Sequence, residues 1–385
     1  MTHYQFQFDT PLNTIPAEHW NTLINDNNPF VRHEFLQALE QFDCASSRFG
    51  WIPHHLTVYK EEQLMAALPL YEKHNSYGEF VFDHSWANAW QSVGLDYFPK
   101  LVTSVPYSPV TGSRLLVKQT LPQEEQKQLW QHMLVQVQQF ALENDFSGWH
   151  CLFANQNEQA WLNTQPDFYI RNDCHFHWFN QNYTTFNDFL DQLTGKKRKN
   201  IRQERNAILK SGVTLRVLNG HTANNQDWEN FAFFYHKTFT DKWSTPTLNE
   251  GFFKAVAKAM PEQVVLILAD NAAGQCVAGS LMYRSATVLY GRHWGCTEEI
   301  KNLHFEACYY QGIEFAIEHG LQRFEPGAGG EHKIARGFIP VKTQSAHWLA
   351  PNPFDEGLRH FIKEEQTIMD NYFIENQSHS PYKPV

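Results

Sequence analysis

The densest group of chemistry-bearing side chains spans residues 325–338, EPGAGGEHKIARGF, where Glu325, His332, Lys333 and Arg336 crowd around three glycines. The pattern reads as a strand that turns on Gly327, Gly329 and Gly330 and enters a helix. Such a turn aims backbone N–H groups and the helix's positive end at an anion. Lys333 and Arg336 would add charge there, at a strand's carboxyl end, where open α/β sheets bind ligands. A second group, GKKRKNIRQER at 195–205, packs six basic residues into eleven. On a helix, Arg198, Arg202 and Arg205 share one face and Ile201 and Ile208 another. Forked guanidinium donors suit a phosphate or pyrophosphate. A solvated helix face fits the same spacing.

A third group, in residues 291–320, contains Arg292, His293, His304 and Glu306 near a strand-to-helix junction. His304 and Glu306 stand two apart and cannot share a helix face, so they make a poor metal pair. The H-x-E also lacks the P-C-x-x-C of a zinc deaminase. His175 and His177 point to one face of a predicted strand, but without a cysteine pair nearby they read as structural. No metal site is expected. Neither a G-x-S-x-G elbow nor a Walker P-loop occurs, which removes serine-hydrolase and NTPase chemistry. In the first half, residues 76–90 and 97–114 mix aromatic and polar side chains, as a loop for a specific polar ligand or a well-packed surface loop would.

Hydrophobic periodicity supplies the elements that must position these groups. Residues 4–8 predict a strand, followed by helices from about Pro16 and over 31–42. HLTVYKEEQLMAALPLY predicts a hairpin broken at 60–63, and the aromatic run 79–82 the next strand. A loop-rich insertion with Pro99, Pro106 and Pro109 leads to an amphipathic helix over 122–143. Strand 149–154, a short helix at 158–163 and strand 173–179 close this half. The order then repeats: strand 213–218, helices 227–239 and 249–260, hairpin strands 264–269 and 276–283, and strand 287–294. Helix 305–318 stops at Gly320, and strand 322–325, a short helix at 331–336 and strand 343–349 follow. A last amphipathic helix covers 354–373. Each closing strand carries a His-Trp dipeptide, His177-Trp178 and His347-Trp348. We read an internal duplication of one α/β domain, as 1–180 and 181–385 with the C-terminal helix.

Composition bounds the partners. With 42% hydrophobic and 19% charged residues there is material for packed cores, and most of the aromatic side chains are expected inside. A net charge of −10 argues against general nucleic-acid binding, though a local basic patch could serve one phosphorylated ligand. Six scattered cysteines without a CxxC pair suit reduced thiols in the cytoplasm. The amino terminus lacks a leader pattern, and no apolar run approaches the roughly 20 residues of a bilayer span. A cytoplasmic protein without a transmembrane segment is expected.

KRKNIRQERNAILKSGV resembles the K-x-R-x-N-I-x-K-A…G-V segment that opens the second domain of FemAB-like transferases. EHKIARGF resembles their F-K-x-G-F motif, with Ile334 and Ala335 departing from it. PVTGSRLL, LYGRHWG, HFEACYYQGIEFAI and RFEPGAGGEHKIARGF resemble, in order, one bacterial branch labelled peptidoglycan biosynthesis/recognition, FemAB-like N-acyltransferases of the GNAT superfamily. The resemblance implies two tandem GNAT-like acyltransferase domains, each a mixed, mostly antiparallel sheet flanked by helices. It implies transfer of an acyl or aminoacyl group from acyl-CoA or aminoacyl-tRNA to an amine, with no tightly bound cofactor. Where GNAT proteins carry a glycine-rich pyrophosphate turn, this chain reads EIKNLH at 299–304, without glycines.

On that basis Glu325 or His293 is expected to take the proton of the acceptor amine. Lys333, Arg336, Arg198 and Arg202 are expected to hold phosphates, with Arg292 and Glu306 near the same junction. Asp83, Lys100 and Tyr107 are expected to recognise the acceptor, a cell-wall precursor or another small molecule or peptide. The alternative is a binding module for a cell-wall fragment or protein that kept the fold without turnover.

Overall fold

The computed structural model describes residues 4–384. Its chain divides into two units: residues up to Asp173 with Lys342–Asn371, and Cys174–Val341 with the residues from Tyr372 onward. In each unit the strands pair in a mixed, mostly antiparallel pattern and are flanked by helices, as expected.

In the first unit, β1 (Tyr4–Gln7), α1 (Ala17–Asn21) and α2 (His33–Gln41) precede β2 (Trp51–Pro53), β3 (Leu56–Lys60), β4 (Gln63–Leu68) and β5 (Tyr71–Lys73). Then come α3 (His84–Ser92), β6 (Lys100–Thr103), β7 (Leu116–Val117), α4 (Gln123–Glu143), β8 (Gly148–Leu152), α5 (Gln156–Leu162) and β9 (Phe168–Phe179), whose residues from Cys174 onward belong to the second unit. β3 pairs antiparallel with β1 and β4, and β4 with β7. β5 pairs antiparallel with β2 and β6, while β6 and β8 run parallel. On α4, Leu129, Met133, Val137 and Ala141 recur every fourth residue, forming one apolar stripe that is fully buried against Leu56, Val58 and Trp149. Each side chain buried this way contributes about 1.5–3 kcal/mol as an upper estimate.

The second unit holds α6 (Phe186–Gln192), α7 (Gly195–Lys210), β10 (Thr214–Leu218), α8 (Asn225–Thr240) and α9 (Glu250–Ala259). β11 (Val264–Asp270), β12 (Cys276–Arg284) and β13 (Val288–Cys296) follow, then α10 (Leu303–Phe305), α11 (Gln311–Glu318) and β14 (Arg323–Glu325). β10 to β13 form an antiparallel meander, and β13 and β14 run parallel. Capping boxes start α6 (Thr185 with Asp188) and α8 (Asn224 with Asp227), and Gly320 at φ 65° ends α11. The unbroken apolar run Val264–Ala269 is buried throughout β11, as expected of a central strand covered on both faces.

Three sequence expectations change. Residues 79–82 form a bend, and Phe80 takes φ 61°, which no strand tolerates. The strand that follows this segment is β6, paired with β5, and between the two lies helix α3. Trp86 and Trp90, four apart and both buried, are the helical stripe that an aromatic run disguises. The closing strands are also exchanged. Trp178 and Phe179 of β9 pair with β14 in the second unit, while residues 345–349 of β15 (Ile339–Leu349) pair with β8 in the first. Both segments carry His-Trp, so sequence order alone could not tell them apart. The helix expected over 305–318 starts at Leu303 and includes a π-helical stretch, Glu306–Tyr310, and residues 331–336 form a 3-10 helix. α12 (Asp355–Ser378) completes the chain, and no helix among the described residues is long and apolar enough to cross a membrane.

Close approach of α8 to β13 requires a glycine. A Cβ on Gly295 would fall 2.2 Å from the Phe234 carbonyl oxygen, a backbone atom that cannot rotate away. Gly295→Ala is therefore expected to lower unfolding free energy by about 1–3 kcal/mol in urea titrations. Gly357→Ala, in the first turn of α12 with nothing near its Cβ, is expected to raise it by about 0.4–1 kcal/mol.

Candidate active site

The second sheet opens where its two parallel strands part. β14 pairs with β13 through three residues only, Val288 with Arg323, Leu289 with Phe324 and Tyr290 with Glu325. Pro326, with no N–H to continue a ladder, and Gly327 at φ 93° then turn the chain away. β13 continues to Cys296, paired with β12. Along it the register shifts, with Met282 opposite Gly291 but Leu281 opposite His293, so Arg292 is the extra residue of a bulge. The gap lies at the carboxyl ends of parallel strands, the usual ligand position in α/β sheets.

Glu325 stands at that gap, 3% exposed. Strand alternation sends Phe324 to the opposite face, against Gly312 of α11 and the Phe338 ring. Arg323 Nη2 lies 2.8 Å from Glu325 Oε1, and His177 Nε2 4.0 Å from Oε2. The His175 ring is 6.3 Å from that of His177. Burial pulls the His175 imidazole down to about 4, partly offset by the Glu325 charge, and holds His177 well below the ordinary range. Both rings are thus neutral at pH 7, and buried His177 Nδ1 has no hydrogen-bond partner among the described residues. Two neutral imidazoles beside a buried carboxylate can accept and relay a proton. Sequence reasoning treated these histidines as structural; only the pairing of β9 with β14 places them at Glu325.

Lys333 is buried within the same unit and donates from Nζ to the carbonyls of Gly327 (2.7 Å) and Ala328 (3.1 Å). It therefore ties down the glycine turn. Burial pushes its ammonium down to about 8, with Cys308 acting the other way. Arg336 donates to Glu204 Oε1 (2.9 Å) and the His332 carbonyl (2.8 Å), and its guanidinium lies 3.4 Å from the Phe305 ring centre. Tyr310 donates to the other oxygen of Glu204.

The remaining candidates scatter. Arg198 pairs with Asp191 at 3.0 Å, and Arg202 is exposed. Glu306 is buried, 3.0 Å from Arg205 Nη2 and accepting from Gln311 Nε2 at 2.9 Å, so it anchors the π-helical turn to α7. His293 is half-buried between the rings of Tyr235 (5.0 Å) and Phe253 (6.3 Å), and burial and Arg292 keep it neutral. Burial lowers the Arg292 guanidinium to about 10, so it remains charged at pH 7. Asp83, Lys100 and Tyr107 belong to the first unit and are buried there. Lys100 Nζ contacts Asp83 and lies 2.8 Å from Glu79, and Tyr107 donates to the Cys44 carbonyl at 2.8 Å. Among the described residues, no group of three or more His, Cys, Asp or Glu side chains could hold a metal ion.

Comparison with solved structures shows the same fold at low identity. The crystal structure of FemX superimposes with a TM-score of 0.55 at 10% identity, covering 92% of this chain and 100% of FemX. A conserved protein of unknown function from Bacteroides thetaiotaomicron gives 0.54 at 10% identity, covering 90% and 100%. The C-terminal domain of a putative lysylphosphatidylglycerol synthetase from Agrobacterium fabrum gives 0.50 at 8% identity, covering 90% and 95%. No curated protein matches the chain. A family model does: the FemAB-like model, described as peptidoglycan biosynthesis/recognition, matches residues 11–384, and the chain belongs to that family.

Proposed function

We propose that the protein is an N-acyltransferase that moves an acyl or aminoacyl group from a thioester or aminoacyl-tRNA onto an amine of a cell-wall precursor. The observation that carries the reading is the buried Glu325 carboxylate, with the neutral His177 and His175 rings, at the gap between β13 and β14. Family membership supports the class of acceptor.

An acceptor amine with a pKa near 10 is mostly protonated at pH 7 and must lose a proton before it attacks. Its nitrogen then bonds to the donor's carbonyl carbon, and the carbonyl oxygen becomes an oxyanion. Backbone N–H groups at the β13 bulge would stabilise that charge. Collapse of the tetrahedral intermediate breaks the C–O or C–S bond to the donor. Glu325 takes the proton released by nitrogen and returns it to the departing alkoxide or thiolate. A base so placed accelerates the step by roughly 10²–10⁴. Lys333 positions the base by holding the turn that follows it, and Arg323 fixes the carboxylate from its own strand.

Glu325→Gln is expected to lower turnover at least about 100-fold with an unchanged circular dichroism spectrum. His293→Gln, which alters a group packed between two aromatic rings, should retain more than about a tenth of turnover if Glu325 is the base. Full activity in Glu325→Gln overturns the assignment. Product formation that is abolished by ribonuclease identifies the tRNA donor; formation that survives it identifies the thioester. Donor binding without product in either case would instead indicate a binding protein.

Lys333 also predicts a pH signature. The folded state loses this proton near pH 8, whereas an unfolded lysine keeps it to about 10.4. Between those values the unfolded chain binds more protons, so raising the pH favours folding. Relative to Lys333→Met, the wild type should gain up to about 3 kcal/mol between pH 8 and 10.4, read from urea unfolding.

A further inference from the structure

The first unit repeats the register of the Glu325 centre with different side chains. In the second unit Tyr283 stands opposite Tyr290, Tyr290 lies beside Glu325, and Trp178 stands opposite Phe324, which sets His177 against Glu325. In the first unit Tyr71 stands opposite Val102, Val102 lies beside His150, and His150 stands opposite His347. His150 and His347 thus take the places of Glu325 and His177. Ser345, two residues before His347, takes the place of His175.

These groups lie in a buried polar interior. Lys100 contacts the carboxylates of Glu79 and Asp83, and Asp83 also accepts from Ser76 and from the Tyr97 hydroxyl at 2.6 Å. Arg171 forks onto Glu365 through Nε (2.8 Å) and Nη2 (2.6 Å), and its guanidinium sits 5.2 Å from the Trp86 ring centre. The Trp86 ring lies 5.2 Å from His347 and 6.3 Å from His150. Exposure is 2% at Trp86, 1% at His150 and 9% at Arg171.

Three nitrogens here have no hydrogen-bond partner among the described residues: Trp86 Nε1, His150 Nε2 and Arg171 Nη1. A buried donor left unpaired costs about 1–3 kcal/mol, and folded interiors pair nearly all of them. Trp86 and Arg171 can only donate. His150 Nδ1 lies 2.6 Å from His347 Nδ1, and His347 Nε2 2.8 Å from Ser345 Oγ. If Ser345 donates to His347 and His347 to His150, a proton is left on His150 Nε2, making it the third donor.

We propose that the first unit holds a buried binding site for a small carboxylate, whose oxygens accept from Trp86, His150 and Arg171, with Trp86 of α3 as its roof. The site lies wholly in the first unit and shares no residue with the Glu325 centre, so its test is independent of the proposed reaction. Thermal unfolding is followed while sodium acetate replaces sodium chloride at constant ionic strength. The wild type is expected to show a saturable rise in midpoint of about 2 °C or more. Trp86→Phe keeps an aromatic ring but lacks the N–H, and is expected to lose that rise. Absence of a saturable rise in the wild type, or an equal rise in Trp86→Phe, overturns the proposal. Should Trp86→Phe fail to fold, a crystal structure of the wild type grown in acetate decides. A carboxylate within hydrogen-bond distance of the three nitrogens supports the site, and waters alone at those positions overturn it.

Discussion

The short parallel contact between β13 and β14 is the constraint on which the second unit depends. Three residue pairs hold the strands together, and then β14 ends while β13 runs on. A longer β14 would cover the edge of β13 and leave no gap. The close approaches around it keep the contact in place. Gly291 faces Pro326 and Phe324, Gly312 lets α11 lie on the Phe324 ring, and Gly295 lets α8 lie on β13. Phe324 is buried on one face so that Arg323 and Glu325 must project from the other. Packing of an apolar residue thus aims its charged neighbours.

Each unit buries a lysine, and the two compensate its charge differently. Lys100 in the first unit answers two carboxylates, an arrangement in which Coulombic attraction offsets desolvation. Lys333 in the second donates to two neutral backbone carbonyls, and burial leaves its ammonium easier to deprotonate. The first arrangement suits a permanent ion network and the second a turn held by neutral dipoles. The same strand register therefore supports two polar interiors with different electrostatics.

Much of the fold was legible in the sequence because periodicity reports burial directly. The stripe Leu129, Met133, Val137 and Ala141 reads as a helix, and the run Val264–Ala269, short, β-branched and bounded by Pro261 and Gly274, as a buried strand. Glu325 was legible as a candidate because it precedes a glycine-rich turn at a strand end. Arg336, Glu306 and Arg198 looked equally available, yet Arg336 meets Glu204, Glu306 meets Arg205 and Arg198 meets Asp191. Sequence spacing shows which side chains share a face, not which partner the opposing element presents. α3 was missed because its two tryptophans sit among other aromatics, and local composition outweighed the fourfold spacing.

The sequence by itself determined the duplicated α/β plan, the family and the identity of the carboxylate at the end of β14. Only the tertiary structure decided that the strand carrying His177 borders β14 and that the strand carrying His347 borders β8. The physical reason is that strand pairing is a long-range choice between similar edges. Two segments with the same alternation and the same His-Trp pair satisfy either sheet locally, and hydrogen bonding between distant parts of the chain selects one arrangement. That selection puts two neutral histidines beside Glu325 and leaves His150 facing His347.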